Sequence, residues 1–253
     1  GLAFRRGTPP EATYTFKHAL VQDAAYDSLL KSRRQELHAK IARVIEERFP
    51  ETRDIEPEVL AHHYTHAGLV EKALPFWSSA GQKALARTAL PESVGHLRKA
   101  LELVQSFPPA AVRDRSELDI RITLAIAQMA YGGWTNAEIP TVLTPAIDLA
   151  QRLGDTQNEL IALFYIWLYQ FCVPNIDQAK EYANKLHTRG ETSSDRSVVL
   201  IAAAALSSTA CAAGDWEVAR FHGDQVHALY DFDRDSPLTF LLNHDVLGFL
   251  AAW

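Results

Sequence analysis

The run Ala12-Thr13-Tyr14-Thr15-Phe16-Lys17-His18-Ala19-Leu20-Val21-Gln22-Asp23-Ala24-Ala25-Tyr26-Asp27-Ser28-Leu29-Leu30-Lys31-Ser32-Arg33-Arg34-Gln35-Glu36-Leu37-His38 changes its period partway along. Thr13–Phe16 reads as a short strand, paired with Leu2–Arg6 around the turn composition Gly7-Thr8-Pro9-Pro10. From Phe16 onward the period is helical. Phe16, Leu20, Ala24 and Leu30 fall on one face, and Leu37, Ile41, Ala42 and Ile45 repeat the pattern after Arg33-Arg34. Apolar residues at such spacing let a helix bury one side. The run therefore predicts a hairpin followed by two packed helices, with nothing reactive in it.

Beyond it no further strand is expected. Helices are predicted over roughly 17–31, 34–48, 56–67, 71–88, 91–105, 114–131, 137–153, 157–172, 176–189, 196–213, 216–231 and 237–252. Pro57, Pro91 and Pro237 stand at helix starts, and Gly68, Gly154, Gly190 and Gly214 at helix ends.

Within these helices small or apolar residues recur at i, i+4 and i+7: Ala73, Trp77, Ala80; Ser93, Leu97, Ala100; Ala146, Ala150, Leu153; Ala179, Ala183, Leu186; Ala219, Gly223, Val226. Small residues admit a neighbouring helix closely while the larger ones fill the groove. The first members are 33 residues apart from Ala146 to Ala179 and 40 apart from Ala179 to Ala219, within the range of helix-pair repeats. Gly68–Ala73 and Gly214–Ala219 resemble the inter-helix turn of tetratricopeptide repeats, though no repeat carries the full pattern. The expected fold is all-α: a tetratricopeptide-like right-handed superhelix of antiparallel helix pairs with a short N-terminal β-hairpin.

The 253 residues are 47% hydrophobic and 22% charged, enough for a large core or for a solenoid that needs no single core. The net charge of -6 is uneven, because residues 1–49 carry nine Lys/Arg against six Asp/Glu while the rest is acidic. An acidic body argues against nonspecific nucleic-acid binding, which depends on neutralising phosphates. Lys31, Arg33 and Arg34 read as a solvated corner between helices or a contact to a neighbouring domain. The longest apolar run, Leu160–Tyr169, is short of the roughly 18–20 residues of a membrane span. No signal peptide is visible, and Cys172 and Cys211 read as reduced core thiols, so a cytoplasmic location is expected. The ends read as cuts from a longer chain.

No phosphate-cradling Gly-x-x-x-x-Gly-Lys-Ser/Thr loop occurs, since Lys83 does not directly follow Gly81. Ser207, Ser208 and Thr209 have no paired base. No catalytic residue, bound cofactor or metal site is expected in this chain. His62, His63 and His66 put two imidazoles one helical turn apart, as in zinc sites, but the run lacks the Glu of His-Glu-x-x-His and shows no third ligand. Packing is the reading taken for it, and His18, Tyr26 and His38 likewise read as packing residues. The aromatic helix around residue 165 splits into Phe164, Trp167 and Phe171 on one face and Tyr165 and Tyr169 on another. The first face is assigned to the core. Tyr165, Tyr169 and Gln170 are assigned to a concave groove that takes a protein or peptide partner.

A family resemblance adds context. Phe16–Tyr26 with Arg33–His38, then Leu60-Ala61-His62-His63-Tyr64, Ala80-Gly81 and His96–Leu103, resemble the region that follows the ATPase module in large bacterial class III adenylate/guanylate cyclases. The resemblance is specific over 12–103 and looser beyond. It implies that 1–16 is the remnant of a winged-helix wing hairpin, that 17–55 is a linking helical pair, and that 56–253 is tetratricopeptide-like repeats. It also implies an upstream STAND-type ATPase and cyclase in the same chain, using ATP and Mg, with this region regulating them through protein contacts. LuxR-type regulators share the ATPase-plus-helices arrangement, so the alternative is the sensing region of such a transcription regulator.

Overall fold

The computed structural model describes residues 3–8, 12–231 and 234. Among them are two strands and twelve helices: β1 (Ala3–Arg6), β2 (Thr13–Phe16), α1 (Ala19–Asp27), α2 (Lys31–Arg48), α3 (Pro50–Ile55), α4 (Pro57–His66), α5 (Val70–Ala86), α6 (Leu90–Gln105), α7 (Ala111–Gly132), α8 (Ile139–Leu153), α9 (Thr156–Cys172), α10 (Ile176–Thr192), α11 (Arg196–Ala212) and α12 (Trp216–Leu229). The helices pack in sequential antiparallel pairs, and β1 and β2 form an antiparallel hairpin in which Ala3 faces Phe16. The all-α reading holds on those terms. The helix expected over 237–252 lies outside the described residues. The sequence reading passed over α3, a single turn and a half with Pro50 at its start and no apolar repeat.

Two compact units divide the chain at Ala80/Gly81, within α5, whereas the sequence reading put boundaries after 16 and 55. In the first unit α2 packs on α3 and α4 around Ala42, Leu60, Ala61 and Tyr64. The Tyr64 and Phe76 rings stack with centroids 5.8 Å apart, and the Trp77 indole donates to Thr65 Oγ1 at 2.9 Å. The Tyr64 hydroxyl donates to the Glu46 carboxylate.

In the second unit each helix from α6 to α12 packs on the next, and α7, α9 and α11 also touch one another as a row. That row is the core. α9 and α11 are apolar around most of their circumference, which is the composition of a helix surrounded by others. The small residues identified in the sequence sit at the crossings: Ala146, Ala150, Ala179, Ala183 and Ala219 are all buried. At two crossings a serine hydroxyl reaches the backbone of the facing helix, Ser93 donating to Gly81 O and Ser207 to Ala219 O, each at 2.8 Å. Asp155, Asn175 and Asp215 each cap a helix N-terminus by accepting from a backbone N–H three residues on. Buried charge joins α7 to α8: Glu117 accepts from Arg113 Nη2 at 2.8 Å and Arg121 Nη2 at 2.7 Å, while Arg121 Nη1 donates to Val142 O at 3.2 Å.

Candidate functional site

The expectation that Tyr165 faces an open groove is corrected by the surroundings of α9. Tyr165 is 1% exposed, because α9 is flanked by α7 and α11 as well as by α8 and α10. Its ring lines a cavity of about 340 Å³ with Ile126, Met129, Ala130, Gly133 and Trp134, from the end of α7 and the turn after it. Burial pushes its phenol up to about 12. Tyr169 is half-buried against the core and Gln170 is half-buried, so the three do not form an open aromatic surface. The core assignment of Phe164, Trp167 and Phe171 agrees with their burial, but the periodicity carried no information about the helices that also cover Tyr165.

Of the remaining hydroxyl candidates Ser207 and Thr209 are absorbed by packing, while Ser208 Oγ is buried without a hydrogen-bond partner. Trp167 Nε1 donates to Thr209 Oγ1 at 2.9 Å, Thr209 donates to Ala205 O, and Ser207 is spent on Ala219. Cys172 and Cys211 are free and half-buried rather than fully enclosed, and burial raises the Cys172 thiol. Arg33 pairs with Glu36 on its own helix, and Arg34 pairs with Asp27 while lying over the Tyr26 ring. Among the described residues no helix is long and apolar enough to cross a membrane.

Two features of the first unit stand apart from such packing. The first is its N-terminal surface. No residue of β1, β2 or α1 is buried. Leu20 is 82% exposed and Leu30 77%, and Phe4, Tyr14 and Phe16 are exposed near them in the chain. The amphipathic pattern that predicts α1 is real, yet its apolar face has no cover within the unit.

The second is a set of histidines. His38 projects from α2, and His62, His63 and His66 from α4. His38 Nδ1 lies 2.8 Å from His63 Nδ1, and His38 Nε2 lies 3.0 Å from the Tyr26 hydroxyl. The His62 and His66 rings are 4.2 Å apart between centroids, and His66 stacks on His38 at 5.0 Å. One ring nitrogen each from His38, His62 and His63 lies within 4.8 Å of the other two. His38, His62 and His66 border a cavity of about 540 Å³ whose other walls include Phe16, Gln22, Asp23, Tyr26 and Leu29. Burial, then the charge of the neighbouring rings, lowers His38 and His62 from the ordinary imidazole value, and His63 falls to about 4. At neutral pH these three rings are uncharged and each keeps a lone pair. The sequence pointed to the run His62, His63 and His66, and to His38 separately as a packing residue. Their meeting with His38 depends on how α2 crosses α4, which no local spacing encodes.

No family model matches the chain. It is 25% identical over 168 residues, 66% of its length, to an uncharacterized protein of Rhizobium meliloti (strain 1021). The chain spans only 16% of that relative, which is therefore about a thousand residues long. Among solved structures it is similar to BtubC (BKLC) from P. vanneervenii, with TM-score 0.50 and 16% identity over 84% of this chain and 91% of that one. That likeness concerns the fold alone.

Proposed function

We propose that this chain is the noncatalytic, regulatory helical-repeat region of a cytoplasmic multidomain signalling protein, an adenylate/guanylate cyclase with a STAND-type ATPase module upstream. The observation that carries the reading is the bare apolar surface of the hairpin and α1. An apolar patch of this kind on one unit marks a place where another body docks. The family resemblance of residues 12–103 supplies the occupant: the end of the ATPase module in the same chain. The length of the relative fits a region embedded in a larger protein. ATP and Mg belong to the upstream domains, and the helical pairs contribute surface and stiffness. Regulation then means that docking favours one arrangement of the ATPase and cyclase over another, by the difference in contact free energy between the two.

The test is cyclic-nucleotide formation by the full-length parent, compared with a parent carrying Leu20→Asp and Leu30→Asp. Both side chains are exposed in this unit, so the substitutions leave its folding intact while opposing docking. The expected result is a changed basal rate and a lost response to ATP turnover. Unaltered activity and nucleotide response in the double variant overturn the docking role. A parent with no cyclase activity under any condition overturns the cyclase assignment.

A further inference from the structure

We propose that His38, His62 and His63 form a binding site for a single divalent transition-metal ion, Zn²⁺ being the cation the ligand set fits best. This goes beyond the docking role above and does not depend on it. Three imidazoles suit Zn²⁺ among the first-row metals, and three protein nitrogens with one open position is an arrangement zinc adopts repeatedly. The distances are close to what is needed. Two nitrogens each bound to a tetrahedral Zn²⁺ stand about 3.3 Å apart. Here the three nitrogens already fall within 4.8 Å of one another, with the His38–His63 pair at 2.8 Å.

The outer contacts are also of the right kind. A metal-bound histidine usually donates its second ring N–H to a fixed acceptor, which sets both tautomer and ring orientation. His38 has that partner: with Nδ1 on the metal, Nε2–H donates to the Tyr26 hydroxyl at 3.0 Å. Tyr26 is held in turn by the Arg34 guanidinium over its ring, 5.1 Å from the centroid. His38 and His62 line the 540 Å³ cavity, which has room for a water or a small anionic or neutral ligand to complete the shell. His66 stacks against the set without contributing a nitrogen to it. A bound ion ties α2 to α4 and gives the first unit a cross-link that its modest core otherwise lacks.

The experiment is calorimetric titration of chelator-stripped chain with ZnCl₂, together with thermal unfolding in excess ZnCl₂ and in EDTA. The expected result is one equivalent bound at micromolar or tighter affinity and a Tm raised by zinc and restored by EDTA. His62 is exposed, so His62→Ala folds normally and is the first variant; it weakens binding at least tenfold. His63→Ala does the same, and Tyr26→Phe weakens binding about tenfold through the outer contact. Co²⁺ in place of Zn²⁺ gives the visible bands of a four-coordinate nitrogen site, lost in His62→Ala. His187→Ala, at a second histidine pair, leaves the stoichiometry and affinity unchanged. Absence of saturable binding overturns the proposal and leaves the cluster as hydrogen-bonded packing. Binding abolished by His66→Ala but untouched by His63→Ala also overturns it, since that is the signature of a simple pair one turn apart on α4.

Discussion

Replacing Gly81 by alanine pits two effects against each other, and the structure says which wins. In a helix interior the exchange is ordinarily favourable by up to about 1 kcal/mol, because glycine loses more backbone freedom on folding. At Gly81 the new Cβ would stand 2.4 Å from Leu97 Cγ, 2.7 Å from Cδ2 and 3.3 Å from Cδ1. An ordinary contact begins at 3.4 Å, so Leu97 must retreat by about an ångström. Its branch carbon is the obstacle, not a mobile tip, and Leu97 is fully buried. Overpacking of this kind costs about 1–3 kcal/mol, and a displaced rotamer adds about 0.5–1.5 kcal/mol. The balance is a net loss of about 0.5–3.5 kcal/mol. Gly95 is the internal control: it lies on the exposed side of α6 with nothing within 4 Å of its would-be Cβ, so Gly95→Ala stabilises by about 0.8–1 kcal/mol. Urea unfolding of the two variants, followed by tryptophan fluorescence, should move in opposite directions. A double-mutant cycle with Leu97→Ala locates the cause: once Leu97 is truncated, Gly81→Ala should cost nothing. The reasoning is refuted if Gly81→Ala stabilises as much as Gly95→Ala, or if its penalty survives Leu97→Ala.

Glu117→Leu leaves the buried Arg121 guanidinium without its carboxylate and should cost about 3–5 kcal/mol in chemical denaturation; a loss below about 1 kcal/mol means the site lets water in. Thr88 ends α5 in the left-handed region at φ 57, with Ala89 N–H donating back to Ala84 O, so Thr88→Gly should raise stability by about 1 kcal/mol while Thr88→Ala brings no such gain. Tyr165 ionises at about 12 when folded against about 10 when unfolded, so the unfolded chain holds fewer protons between those values and stability falls as pH rises through them. Two pH units correspond to about 2.7 kcal/mol, and unfolding of Tyr165→Phe measured from pH 9 to 12 should lack that share of the alkaline loss.

Much of the fold was legible because helix-pair packing leaves a local mark. Ala179, Ala183 and Leu186 are a small–small–large series on one face, and all three are buried at the crossing it predicted. Glycines and prolines fixed most helix ends to within a few residues, as at Gly154, which caps α8 with φ 67. What failed was inference about faces. In α1 the amphipathic pattern led to an expectation of a packed helix, and the face is bare. In α9 Tyr165 was read as open, and it is buried, while Tyr169 and Gln170 are half-buried. Both errors have one origin: a periodic pattern reports that a side chain prefers burial, not which body supplies the cover. Leu20 and Tyr165 carry the same kind of local signal and meet opposite fates, because α9 has helices on every side whereas α1 meets its unit through Tyr26 and leaves Leu20 82% exposed.

The histidines show the complementary limit. His62 and His66 were visible as a pair because one helical turn links them, and that pair alone argues for packing. His63 belongs to the same run but points about 100° away around the helix, so it adds nothing to the one-turn pair. Yet it is His63 that meets His38, across 25 residues of chain, at 2.8 Å. A chemical site assembled from two helices has ligands on adjacent faces of each, so the residue that breaks the one-face pattern becomes the informative one. His-His on one helix facing a buried, tyrosine-held histidine on another is poor packing for apolar neighbours and good geometry for a shared cation. The same reasoning separates this cluster from the His187–His222 contact, where two half-buried rings meet edge to face and each turns a nitrogen to its own helix, His222 Nδ1 to Gln225 and His187 Nε2 to Glu191.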